Sequence, residues 1–162
     1  MTNTWVYCWA LALFLAGCAG TGETGRVGWV DRTVFDDPAY PEFKAVYDTS
    51  HVTPEFAELI TKVQDEVDVT VFFGMWCSDS KKQIPRFLKI MDLAGIPQRR
   101  VKFYALDRSK KSADGLTDYY AIQRVPTFIF LKKDVEVGRI VEIPRTTMEA
   151  DVLSILAAAQ TQ

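Results

Sequence analysis

Between Val69 and Pro85 the chain reads Val-Thr-Val-Phe-Phe-Gly-Met-Trp-Cys-Ser-Asp-Ser-Lys-Lys-Gln-Ile-Pro, and no other run limits the fold as strongly. Val69 to Phe73 is β-branched and aromatic throughout, the composition of a central strand covered on both faces. A short turn leads straight into a helix expected over Ser78 to Leu93, with Ile84, Phe87, Leu88 and Met91 at helical spacing and Gly95 as its stop signal. Pro85 lies inside that helix and should kink it, because it removes one backbone hydrogen bond. The strand-to-helix passage also sets Cys77 at a helix start. There the first N–H groups lack intrahelical partners and the macrodipole is positive, which favours thiolate over thiol.

Other segments extend the same pattern. Ala45-Val46-Tyr47 reads as a short strand, and Thr53-Pro54 as the N-cap and first position of a helix carrying Phe56, Leu59, Ile60 and Val63 on one face. Val101 to Leu106 is a third strand. A polar, mostly basic loop from Asp107 to Gly115 leads to a short helix around Leu116 to Ile122, and Thr127 to Leu131 is a fourth strand. Val135 to Ile143 alternates apolar and polar residues as an edge strand with one wet face does. A last helix carries Val152, Ile155, Leu156 and Ala159. The order βαβαβαββα implies an α/β fold with a central mixed β-sheet flanked by helices on both faces.

The first 44 residues differ in kind. Trp5 to Ala19 is uncharged and almost continuously apolar, yet shorter than the about 20 residues a spanning helix needs, so it reads as a signal-peptide core. Leu15-Ala16-Gly17-Cys18 resembles the bacterial lipobox, in which the cysteine is lipidated and becomes the new N-terminus. Met1 to Thr4 departs from that pattern in having no Lys or Arg. By this resemblance residues 1–17 are a lipoprotein-type signal and Cys18 is the membrane anchor. Residues 18–44 are then a tether and N-terminal arm, and 45–162 the folded domain, in the cell envelope facing the periplasm or the exterior. Gly20 to Gly25 has the composition of a flexible tether. Cys8 leaves with the signal and Cys18 becomes a thioether, so the mature chain keeps one thiol, Cys77. The formal charge of −2 over 162 residues gives no reason to expect a nucleic-acid partner.

Trp76-Cys77-Ser78-Asp79-Ser80, with Pro85 five residues on, and Tyr120-Ala-Ile-Gln-Arg-Val-Pro126-Thr127 resemble the active-site loop and the cis-proline loop of the thioredoxin family. The likeness runs from about Ala45 to Gln160. It implies a thioredoxin-like fold in which Cys77 is the nucleophile toward disulfides. The family's second cysteine, three residues later, is Ser80 here; a hydroxyl is able to hydrogen-bond a thiolate but takes no part in thiol–disulfide exchange. Val71 stands where dithiol members usually carry a buried acid. A monothiol mechanism follows from the resemblance, with Cys77 entering a mixed disulfide or a sulfenic acid and an external thiol resolving it.

The same likeness makes the Val125–Pro126 bond cis, against a base rate of about 5–6% of X–Pro bonds. It also places the Val125 backbone where an extended substrate chain adds as a strand. Trp76, Asp79, Arg124, Val125, Pro126 and Thr127 are therefore expected at the substrate surface, with Arg124 meeting a carboxylate of the substrate or of glutathione. Asp79 opposes a thiolate by its charge, and Lys81 and Lys82 favour it. His51, the one histidine, would have to reach Cys77 to act as its base. Asp48 and Asp107 read as strand-end turn residues. No cofactor is called for, and a metal site would want a second cysteine near Cys77.

Two functions remain open on the sequence. One is a monothiol thiol–disulfide oxidoreductase of the envelope acting on protein mixed disulfides, glutathionyl adducts or sulfenic acids; the other is a redox-silent module that keeps the docking groove and holds a partner peptide.

Overall fold

The computed structural model describes residues 26–64 and 66–161. The signal, the lipobox with Cys18 and the tether lie outside them. Ten regular elements follow in chain order: β1 (Gly28–Val30), α1 (Pro41–Thr49), α2 (Pro54–Val63), β2 (Val67–Phe73), α3 (Ser78–Leu93), β3 (Val101–Ala105), α4 (Leu116–Tyr119), β4 (Thr127–Lys132), β5 (Val135–Val141) and α5 (Met148–Ala159). A 3-10 helix over Arg32–Asp36 follows β1, and another over Gln98–Arg100 precedes β3. The five strands form one mixed sheet in the order β1-β3-β2-β4-β5; β2 and β3 are parallel and the other pairs antiparallel. No helix among the described residues is long and apolar enough to cross a membrane.

The expected central strand is central. Along β2 every residue except Asp68 is buried, because side chains on both faces meet other layers. Val69, Val71 and Phe73 join Phe103, Phe128 and Phe130 under α1, α2, α3 and α5, while Phe72, Tyr104, Ile129 and Leu131 face α4 and its flanking loops. The two faces are thus covered unequally, four helices against one short one.

The expected first strand is misplaced. Ala45-Val46-Tyr47 is helical, inside α1, because Pro41 opens a helix there and the pattern that matters spans more than three residues. Phe43 goes into the core, Tyr47 packs beside it, and Lys44 pairs with Asp48 one turn on. The strand beside β3 is instead Gly28–Val30, with Gly28 opposite Ala105 and Val30 opposite Phe103. The boundary expected at residue 45 falls within α1, and residues 28–44 belong to the folded unit. Their Phe35 packs against Phe43, Phe73 and Phe103.

In α2, Ala57 and Ile60 take the buried positions; Leu59, expected on the inner face, is 45% exposed. Helix α3 has the expected limits and continues through Pro85. It ends in a Schellman turn: Gly95 adopts φ 68°, the Ile96 N–H donates to Met91 O at 2.9 Å and the Gly95 N–H to Asp92 O at 3.1 Å. The outer end of α3 is clasped to the N-terminal segment, where Arg32 donates to both carboxylate oxygens of Asp92 at 2.6 and 2.5 Å and the Tyr47 hydroxyl donates to one of them at 2.6 Å.

Candidate functional site

Cys77 is the residue that caps α3. Its backbone is extended (φ −85°, ψ 124°), its carbonyl accepts the Lys81 N–H at 3.1 Å, and its own N–H closes a turn onto Gly74 O at 3.0 Å. The site lies where β2 ends and α3 begins, at the end of the sheet where α/β folds gather their ligands. Opposite the sulfur is the loop entering β4, where the Val125–Pro126 bond is cis as expected. Cys77 Sγ donates to Val125 O at 3.2 Å, so two segments 48 residues apart meet at the thiol. The residue keeps 9% of its exposure, which leaves the sulfur at the edge of the smaller core cluster, beside Trp76, Ile122 and Val125.

Ser80, one turn into α3, is fully buried, and its Oγ accepts the Gly74 N–H at 3.3 Å. Among the described residues its hydroxyl makes no bond to Cys77; it fastens the start of the active-site loop. Val71 is fully buried, so an apolar side chain fills the position of the family's acid. Asp79 is half-buried in the first turn of α3, where a carboxylate complements the helix dipole. Lys81 forms an ion pair with Glu42 of α1 and sits over the Tyr40 ring, 5.6 Å from its centre.

Trp76 is held from several sides. Its indole N–H donates to Leu106 O at 2.9 Å, and the Arg108 guanidinium lies over the ring at 5.2 Å. A Cβ on Gly74 would come within 2.6 Å of the indole, so only glycine admits this ring position. On the other side of the sulfur, Thr127 is buried and its hydroxyl donates to Arg124 O at 2.7 Å, fixing the loop rather than facing outward. Arg124 is 66% exposed and its guanidinium meets the Glu142 carboxylate at 2.8 Å. Glu142, which no sequence signal singled out, takes a left-handed conformation (φ 60°) and donates its N–H to Pro126 O at 2.7 Å. That conformation is uncommon outside glycine, asparagine and aspartate, which is why a glutamate gave no sign of it.

Several sequence candidates lie elsewhere. His51 lines a cleft with Arg86, Thr146, Thr147 and Glu149, and Cys77 is not part of its wall. Asp48 is helical and pairs with Lys44 rather than ending a strand. Asp107 is the turn residue it was expected to be: its carboxylate accepts the Ser109 N–H and hydroxyl at 2.8 and 2.5 Å, and these bonds hold it below the ordinary aspartate range.

A thioredoxin family model matches residues 37–155, most of the chain. No curated protein matches the chain significantly. Among solved structures, a protein of unknown function from Pseudomonas aeruginosa superposes with a TM-score of 0.53 at 16% identity, over 76% of this chain and 82% of the other. An HIV epitope-scaffold reaches 0.56 at 15% identity, over 86% and 95%. A thioredoxin from Malassezia sympodialis is 25% identical over 57% of this chain and 76% of its own, with a TM-score of 0.42. With the family model covering both the Cys77 loop and the cis-proline loop, the chain belongs to the thioredoxin family.

Proposed function

We propose that this protein is a monothiol thiol–disulfide oxidoreductase acting through Cys77. The observation that supports it most is the position of the sulfur, at the first turn of α3 and 3.2 Å from the carbonyl that precedes a cis proline. In the first step the Cys77 thiolate attacks one sulfur of a substrate disulfide R–S–S–R′. A Cys77–S–S–R bond forms, the substrate's own S–S bond breaks, and R′–S⁻ leaves with the electron pair and takes up a proton. In the second step an external thiol attacks the R sulfur of that mixed disulfide, forming a new disulfide with R and regenerating Cys77. Ser80 holds the loop that carries the nucleophile and leaves the resolving step to another molecule. Trp76, Asp79, Arg124, Val125 and Pro126 would border the approach, with Thr127 fixing their loop from inside and Arg124 available to a carboxylate of the substrate or of glutathione once it parts from Glu142. Anchoring through Cys18 would hold the domain at a membrane of the bacterial envelope; metabolic labelling with a fatty acid, lost in Cys18→Ala, tests that.

One observation favours the other reading, a peptide-binding module without redox activity: Cys77 is largely covered and its thiol is already spent on Val125 O. Acid-quenched trapping in cells separates the two. Discrete adducts on the wild type, absent from Cys77→Ala, support the oxidoreductase. Partners recovered equally with both proteins would leave only the binding module.

A further inference from the structure

The chain enters the folded domain at the end that carries the thiol. β1 runs antiparallel to β3 with Gly28 opposite Ala105, and Ala105 in turn lies opposite Phe73, the last residue of β2. Neighbouring strands stand about 4.8 Å apart, so Gly28 is about 10 Å from Phe73, which precedes Cys77 by one short turn. Two further contacts agree with that register. The Leu106 N–H, just beyond β3, donates to Phe73 O at 2.7 Å. Arg26 lines one cleft with Met75 and Trp76 of the active-site loop. The cis-proline loop reaches the same rim, since Thr127 opens β4 opposite Phe72. The other rim, where Lys132 lies between Val67 and Val135, is a strand's length away, about 20 Å.

Point of entry and length of chain together select an orientation. From Cys18 to Arg26 is eight residues, and a polypeptide spans at most about 3.6 Å per residue, so an anchor at Cys18 keeps Arg26 within about 29 Å of the anchored residue. The far rim then reaches the bilayer only if those residues run back along the whole domain, whereas the Cys77 rim meets it directly. Had the chain entered at the other rim, the same anchor would turn the thiol outward, toward soluble partners. We propose, on the reading that Cys18 is the anchor and Cys77 the nucleophile, that the catalytic rim faces the bilayer. Its substrates are then disulfides of membrane-spanning or lipid-anchored proteins close to the membrane surface. A disulfide held in the same membrane meets the thiol at an effective concentration set by the short tether, an advantage that a freely diffusing partner does not share.

The test places single reporter thiols at the two ends of β5, in the full chain purified from bacterial membranes and reconstituted in phospholipid vesicles. Ile143→Cys lies just beyond the Cys77 rim and Val135→Cys at the far rim; the two native side chains are similarly exposed, at 61% and 66%. Both variants also carry Cys77→Ser. Each is reacted with a phosphatidylethanolamine bearing a pyridyl disulfide on its headgroup and, separately, with soluble 2,2′-dithiodipyridine. The ratio of lipid-linked to soluble rate should be about threefold or more higher for Ile143→Cys, and about thirty Gly-Ser residues inserted after Gly25 should erase that margin. Equal ratios, a higher ratio for Val135→Cys, or a margin indifferent to the insertion overturns the orientation. A chain with no acyl group at Cys18 overturns it together with the anchor and leaves the oxidoreductase reading in place. Adducts trapped on wild-type Cys77 in cells should be with membrane-spanning or lipid-anchored proteins; adducts confined to soluble proteins overturn the substrate class. A wild-type Cys77 inert to both disulfides, with the Ile143→Cys margin intact, removes the redox reading and keeps the orientation.

Discussion

Ser80 accepts the Gly74 N–H at 3.3 Å and so braces the loop that carries Cys77 rather than the sulfur itself. Ser80→Ala leaves that buried N–H without its partner, at a cost of about 1–3 kcal/mol in unfolding free energy by denaturant titration. The alkylation rate of Cys77 in the folded protein should change little. A large fall in that rate would show the hydroxyl acting on the sulfur directly.

Ser80→Cys restores a second thiol at the family's position. Oxidation should then join Cys77 to the introduced thiol in an internal disulfide, seen as the loss of two free thiols without dimer formation, and trapped intermolecular adducts should decline. Persistence of two titratable thiols under mild oxidant would place the two sulfurs out of reach of each other.

Gly74→Ala drives a methyl into the indole of Trp76 at 2.6 Å. Overpacking of this kind costs about 1–3 kcal/mol. Because the ring must move to admit the methyl, the Trp76 N–H bond to Leu106 O should break. The checks are a lowered denaturation midpoint and a red-shifted tryptophan emission; a variant indistinguishable from wild type in both would mean the loop yields without effort.

Asp92 carries a pH dependence with a definite sign. Burial pushes its carboxyl up, but the bonds from Arg32 and Tyr47 and the Arg32 charge outweigh that and hold it below the ordinary aspartate value. A carboxyl lowered in the folded state adds stability above its unfolded value of about 3.9 and loses it as pH falls through the lower folded value. Wild type should therefore show a steeper acid limb than Asp92→Asn in unfolding measured from neutral pH downward. At neutral pH the variant should be less stable by about 1–2 kcal/mol, since the clasp is partly exposed. Parallel acid limbs would remove Asp92 from the titration.

Glu142→Gln frees Arg124 from its partner. The pair is exposed, so stability should change by less than about 1 kcal/mol. If Arg124 receives substrate carboxylates, the variant should react faster with oxidised glutathione while its rate with a neutral disulfide stays fixed. Equal change in both rates would exclude Arg124 from substrate binding.

What the sequence disclosed follows from how local each signal is. Ser78 to Leu93 could be delimited to the residue because its apolar spacing, its polar start and Gly95 all act within a few residues. The strands β2 to β5 were found as apolar or alternating runs but not delimited: β2 begins at Val67 and β5 ends at Val141, and in β5 a register shift beside Phe130 and Leu131 buries Ile140 and leaves Val135 and Val141, expected inside, exposed. Gly28-Trp29-Val30 was not legible: three residues with glycine in front carry no strand signature, and only pairing with Phe103 to Ala105 makes them one. Ala45-Val46-Tyr47 misled for the same reason in reverse. At the site, Cys77 and Pro126 were found through family motifs, whereas Tyr40, Arg108 and Glu142 were not. Their roles depend on which segments the sheet brings together, and that order, β1 beside β3 and β4 beside β2, is written nowhere in local pattern.

The bond from the Cys77 thiol to Val125 O ties the covalent state of one atom to the hydrogen-bonding capacity of a distant peptide unit. Any event that consumes the proton on that sulfur, whether ionisation, disulfide formation or alkylation, strips the carbonyl of its donor. Loading the cysteine and vacating a main-chain acceptor are then one event.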